Sequence, residues 1–183
     1  MRLKKKWKST QIKQSQKLIS FFVIFFLTLI SFSKSYSLEY IRGKPEIIDG
    51  DTIKINNHKI RLYGIDAPEK KQTCKKKYLT FSIFNFQKSY ECGKESTVML
   101  KKKIKNKIIN CKIKNKDRYN RFIGICFIDK IDINKWLVRN GHAVAYQKYS
   151  KRYVFDEQYA SENRLGIWRG TFTRPEKWRR IQN

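Results

Sequence analysis

Hydrophobic positions after residue 39 fall into short runs with two different periods. In 52–55, Ile53 and Ile55 alternate with polar residues, the period of a half-buried strand. Residues 40–48 read as a strand before it and 59–63 as a strand after it. The turn signals Asp49-Gly50-Asp51 and Asn56-Asn57 separate the three. They make a meander, and Pro68, with no N–H to donate, ends it. Residues 95–107 have helical character, with Val98, Met99 and Ile104 among many lysines. Two Ile-rich strands follow, 107–114 and 121–128, joined by a turn over 115–120. Asp132 is placed to cap a helix over 133–140 that Gly141 ends. Residues 154–165 read as a last helix closed by Gly166, with Trp168 packed against the body. Five strands divided three and two around a helix predict an α+β, mainly β fold. The order is that of a five-stranded OB-fold barrel with about three helices, an architecture that binds oligonucleotides on one face.

Three segments lie outside that pattern. Residues 2–17 are basic and polar, 18–32 are a nearly unbroken apolar run, and 33–37 are Ser-Lys-Ser-Tyr-Ser. This is the order of a signal peptide, with cleavage expected after Ser37. The apolar run is short of the roughly 20 residues of a membrane span. An uncleaved anchor, tying the domain to a membrane through 18–32, is the alternative. Residues 70–91 begin with lysines and turn aromatic at Tyr78, Phe81, Phe84, Phe86 and Tyr90. Packing of these rings on the side of the barrel is the favoured reading, and an exposed patch that meets a membrane or partner is the other. Residues 169–183 read as a basic tail. The expected organisation is therefore a leader over 1–37, one domain over 38–170 and a C-terminal tail over 171–183.

Charge sharpens the question of partners. The 183 residues carry 42 Lys and Arg against 15 Asp and Glu, a formal +27. Residues 1–37 hold 8 of the bases and no acid, so the remainder keeps a formal +19. Such a balance suits polyanions, either nucleic acid or an anionic membrane surface, although codon usage that favours Lys would give the same composition. All four cysteines, Cys74, Cys92, Cys111 and Cys126, lie after the leader, which suggests disulfides in an exported, periplasmic or secreted protein. Cys111 and Cys126 fall in two runs joined by a turn and are paired on that ground, leaving Cys74 with Cys92. With no Cys-x-x-Cys and only His58 and His142, a zinc site is not expected.

The scarce acids are not scattered. Asp49 and Asp51 flank Gly50 at one turn, and Asp66 and Glu69 flank Ala67-Pro68 at another. Carboxylates gathered at two turns of a very basic chain suit a hard divalent cation, which takes oxygen ligands. Arg61 lies between the two turns in sequence.

These residues resemble the thermonuclease, or staphylococcal-nuclease-like, family. The likeness rests on Ile48-Asp49-Gly50-Asp51-Thr52, on residues 61–69 (Arg-Leu-Tyr-Gly-Ile-Asp-Ala-Pro-Glu) and on Asp117-Arg118-Tyr119-Asn120-Arg121. Residues 134–141, 143–146 and Gly166-Ile167-Trp168 add to it, so that it spans about residues 40–170. The resemblance implies a five-stranded OB barrel with three helices and calcium-dependent hydrolysis of DNA and RNA to 3′-phosphates. It assigns Asp51 and Asp66 to the calcium ion, with the backbone carbonyl of Ala67 as a further ligand. It assigns Glu69 as general base, Arg61 and Arg121 as phosphate-binding arginines, and Arg118 and Tyr146 to nucleotide contact. Asp49 is read as a turn former. Asn120 stands where the family usually has Gly, and Asn tolerates positive φ better than most residues.

The expected function is an exported Ca²⁺-dependent endonuclease with little sequence preference, acting as a monomer without an obligate protein partner. The alternative is a non-catalytic nucleic-acid-binding OB module, membrane-tethered if the leader is retained.

Overall fold

Why the chain builds a curved sheet is clearest at its tightest turn. Asn56 and Asn57 have φ of 47° and 66°. Two successive left-handed residues make the kind of two-residue connection whose twist matches a hairpin, and Asn tolerates it. It joins β3 (Thr52–Ile55) to β4 (His58–Leu62) in register Ile55↔His58. The computed structural model describes residues 40–81 and 84–182, and of the side chains at 79–85 nothing is said. The expected leader and anchor fall outside the described residues.

The first expected strand is two. β1 (Tyr40–Gly43) and β2 (Glu46–Ile47) are separated by Lys44-Pro45, where proline cannot donate to a ladder. The break lets one stretch of chain serve two neighbours. β1 pairs with β8 (Ile109–Lys116) and β2 pairs with β3. The sheet order is β1-β8-β9-β4-β3-β2, with β9 (Phe122–Ile128) parallel to β4. Its two ends are thus halves of one stretch, and the sheet curls back on itself. At Gly43 a Cβ would stand 2.7 Å from Ile55, so the close approach of β1 to β3 requires glycine. Asn56 Nδ2 donates to the Arg42 carbonyl across the same gap at 3.2 Å.

This is the expected mainly β class, and the curled sheet is consistent with an OB-like fold. The details differ. Small strands add to the expected five: β5 (Ile65–Asp66), β10 (Ile131–Asp132, on the edge of β9), β11 (Val144–Ala145) and β12 (Gly170–Thr171). Residues 70–91 hold a β-hairpin, β6 (Cys74–Phe81) and β7 (Phe84–Tyr90), whose root pairs with β12. The expectation that its aromatics pack on the barrel fails for Tyr78 and Phe86, which are 71% and 56% exposed.

Among the described residues there are four α-helices where three were expected: α1 (Cys92–Ile104), α2 (Ile133–Arg139), α3 (Val154–Glu162) and α4 (Pro175–Gln182). Asp132 caps α2 as expected, accepting from the Lys135 N–H at 2.9 Å, and Gly141 follows it at φ 68°. α4 takes up residues read as a basic tail. Among the described residues no helix is long and apolar enough to cross a membrane.

The core lies inside the curl. Ile53, Ile55, Ile60, Ile109 and Ile128 of the sheet meet Leu100 and Ile104 of α1 and Leu137 and Val138 of α2. Cys111 and Cys126 are register partners on β8 and β9 and are disulfide-bonded, and Cys74 is bonded to Cys92, as expected. The second bond ties the hairpin root to the start of α1. Two disulfides point to an oxidising compartment.

Two stability predictions follow from these features. The Cys111–Cys126 bond has a sequence separation of 15, and replacing both residues by Ala is expected to cost about 3 kcal/mol. Urea unfolding of the variant beside the parent measures this. His142 is buried with its ring 5.5 Å from Trp136. Burial is the main cause that holds its pKa down at about 4, with Glu95 and Arg169 acting in opposite senses. The unfolded chain, near 6.5, binds the proton more readily. The group's contribution is therefore full above pH 6.5 and is lost as pH falls towards 4, by up to about 3 kcal/mol. A His142→Gln variant should show a flatter dependence of stability on pH across that window.

Candidate active site

The site begins at the Asp49-Gly50-Asp51 turn. The Asp49 carboxylate accepts from the Asp51 N–H at 3.0 Å, a local turn contact that matches its expected role. Gly50 lies so close to α1 that a Cβ would stand 2.6 Å from Ser96 Oγ. The Asp51 carbonyl accepts from the Leu62 N–H at 2.8 Å, locking the turn to the end of β4. Asp51, 3% exposed, turns its carboxylate inward: Oδ2 accepts from the Ala67 N–H at 2.8 Å and Oδ1 from Thr52 Oγ1 at 3.1 Å.

Gly64, at φ 74°, swings the chain out of β4 and into β5. β5 pairs with β11 in register Asp66↔Val144. This leaves Asp66 1% exposed and within reach of Arg61 on β4. Arg61 joins the two acids: Nη1 contacts Asp51 Oδ1 and Nη2 donates to Asp66 Oδ1 at 2.8 Å.

Electrostatics follow the geometry. Burial opposes the charge on Arg61, but Asp51 and Asp66 outweigh it and hold the guanidinium above its ordinary pKa. Burial raises the Asp66 carboxyl above the usual range, and Asp51 adds to this while Arg179 and Arg61 pull it down. Asp49 is pushed up to about 6 by burial and then by the neighbouring Asp51 charge.

Glu69 enters through a loop held by a buried amide. Gln72 is fully buried; its Oε1 accepts from the Glu69 N–H at 3.2 Å and its Nε2 donates to the Thr173 carbonyl at 2.6 Å. Gly93 packs on the Glu69 carbonyl so closely that a Cβ there would collide with it. The Glu69 side chain is half-exposed, and Oε1 accepts from Arg179 Nη1 at 2.7 Å. Arg179 also forks onto Asp66, Nη1 to Oδ1 at 3.0 Å and Nη2 to Oδ2 at 2.9 Å. Asp51, Arg61, Asp66, Ala67 and Glu69 thus form one contiguous cluster, with Arg179 added.

The other three expected residues stand apart from that cluster. Arg121 is held within its own turn, Nε donating to Asp117 Oδ2 at 2.8 Å. It precedes β9, where Ile123 is the register partner of Arg61. Strand alternation places Arg121 on the face shared by Ile123 and Arg61. Asn120 has φ 59°, the left-handed geometry expected of a residue standing in for Gly. Arg118 lies over the Tyr119 ring at 4.9 Å and touches none of the site carboxylates. Tyr146 donates its N–H to the Gly64 carbonyl at 2.9 Å. Burial raises the pKa of its hydroxyl, and Glu176 and Asp66 add to the effect, which puts the ring within the field of the site.

Among the described residues, no three of His, Cys, Asp or Glu gather closely enough to enclose a metal. Two buried carboxylates that converge on one positive group are nevertheless the donor chemistry of a hard cation. Such ions complete their shells with backbone carbonyls and water.

Sequence reasoning missed Gln72 and Arg179. Gln72 carries no signal in sequence. α4 does: Pro175 at the first helical position, Glu176 in the first turn, and Trp178 and Ile181 three residues apart.

Known proteins resemble this chain over much of its length. The family model described as staphylococcal nuclease homologue matches residues 59–170. The chain is 37% identical over 134 residues to the succinoglycan biosynthesis protein ExoI of Rhizobium meliloti (strain 1021), covering 72% of this chain and 66% of that protein. It is 30% identical over 150 residues to an uncharacterized endonuclease of Escherichia coli O157:H7, covering 78% and 86%. A further uncharacterized endonuclease, of Haemophilus influenzae, is 30% identical over 143 residues, covering 74% and 70%. With a family match over most of the chain and the acidic turns folded into one cluster, this protein belongs to the staphylococcal nuclease homologue family.

Proposed function

We propose that the protein is a Ca²⁺-dependent nuclease that hydrolyses phosphodiester bonds in DNA, RNA or both, with little sequence preference, leaving 3′-phosphates. The observation that carries this reading is the convergence of Asp51, Asp66 and Glu69 on guanidinium groups at one place, Arg61 among them. Two relatives bear the name endonuclease, which agrees with it.

Asp51, Asp66 and the Ala67 carbonyl would hold the cation. Bound there, it supplies positive charge to a phosphate oxygen and fixes its orientation. The remaining chemistry belongs to the chain. Arg121 binds phosphate oxygens through its planar fork and Arg61 through the N–H groups that its two acids leave free, roles that lysine cannot imitate. Glu69 stands at the rim, where it accepts a proton from a water whose oxygen attacks phosphorus. The bond from phosphorus to the 5′ oxygen breaks, that oxygen takes up a proton, and the phosphate stays on the 3′ side. Arg118 and Tyr146 contact the nucleotide. The basic surface gathers the polyanion by backbone attraction, which needs no base reading.

Cleavage of single-stranded DNA and of RNA, followed with Ca²⁺ and with chelator, tests the reading. Glu69→Gln should lower kcat by about 10²–10⁴-fold while oligonucleotide binding persists. Arg121→Ala should lower it by about 10²–10³-fold, as loss of one transition-state donor does elsewhere. Chelator should abolish cleavage. Oligonucleotide binding without any cleavage would instead identify a binding module on the same fold.

A further inference from the structure

Arg179 occupies an unusual place for a residue of a C-terminal helix. Its guanidinium takes both oxygens of Asp66, at 3.0 and 2.9 Å, and Glu69 at 2.7 Å. Asp66 is 1% exposed, while the Arg179 side chain is 33% exposed, so the arginine approaches from outside as a cap. The positive charge on this group is held above its ordinary pKa: burial opposes it, and the bonds to Asp66 and Glu69 outweigh burial.

We propose that Arg179 is a further residue of the site, a clasp steadied by Glu69 that competes with the divalent cation for Asp66 and so sets the cation affinity. The proposal rests on the reading of Asp51 and Asp66 as the cation's carboxylates. Asp66 Oδ1 already accepts from both Arg61 and Arg179, and Oδ2 accepts from Arg179. A carboxylate oxygen has two lone pairs. With Arg179 in place, Asp66 offers a cation at most one lone pair, beside a like charge. Arg61 is not the group that yields, because it sits within β4 and is shared between two acids.

The root of α4 permits release without unfolding. Arg174 pairs with Glu157 through Nη1 at 2.7 Å and Nη2 at 3.1 Å, and Glu157 in turn accepts from the Ala145 N–H at 2.7 Å. Gln72 holds the Thr173 carbonyl, and Pro175 is buried. Towards the far end of the helix Arg179 itself makes the ties to the site, and Ile181 beyond it is exposed. The guanidinium can therefore leave the acids by rotation of its own long side chain, while the root stays docked.

Calorimetric titration of Ca²⁺ into the full chain, without nucleic acid, tests this. Arg179→Ala should bind Ca²⁺ at least tenfold more tightly than the parent. Arg179→Lys, which keeps the charge and loses the fork, should fall between them. Arg179→Gln, which keeps the length and loses the charge, serves if the Ala variant does not fold, and should match it. Equal affinity in parent and variants would overturn the clasp and leave the cation site standing. Weaker binding in the variants would overturn it too, by making Arg179 a support of the site. If neither the parent nor any variant bound Ca²⁺, and Asp66→Asn changed nothing, the cation reading would fail together with the clasp.

Discussion

Arg61 lies between two acids that are almost wholly out of water, and the arrangement around it depends on that position. Burying a carboxylate without a partner is costly, and here two are buried within reach of each other. The shared guanidinium makes the pair tolerable. It also fixes where the turn at Asp51 and the short strand at Asp66 stand relative to one another. The β3–β4 hairpin supplies the arginine and one acid. The turn at Gly64 and the pairing of β5 with β11 supply the other. Much of the remaining fold holds those two supports in register.

The parts of this arrangement that sequence discloses are those made by short-range chemistry. Turn residues and period-two runs located β3, β4, β8 and β9 to within a residue or two, because the side chains that mark them are the ones that make the turn or fill the core. The cap at Asp132 was legible for the same reason. What escaped is the outcome of long-range packing. Pro45 splits the first strand because one stretch must meet two neighbours: β2 pairs with the nearby β3, but β1 pairs with β8, its partners about 70 positions away. The aromatics of 70–91 keep no single period, and pairing of the two runs that hold them left Tyr78 and Phe86 facing water rather than the barrel.

The site divides along the same line. The acids were visible as an anomaly of charge, and the structure brings Asp51, Asp66 and Glu69 together with Arg61. Gln72 and Arg179 could not be read in that way. A glutamine among lysines and one arginine among many have no local signature, and each matters through a partner about a hundred residues away. Their link also joins two parts of the molecule. The Gln72 amide holds the loop of Glu69 with one end and the root of α4 with the other, so the loop and the helix root share one anchor.

The break at Lys44-Pro45 has a consequence for how this chain behaves among copies of itself. Because the two halves of the first strand are spent on β3 and β8, the curled sheet presents only short stretches of unshared backbone. Among the described residues the longest strand bonded on one side alone is β7, seven residues at the outside of the hairpin. An unshared strand edge is a template for another chain, and lysine on such an edge discourages it. β7 carries one, Lys88. Any pairing of this chain with a copy of itself through an open strand edge would thus meet β7 of the hairpin first.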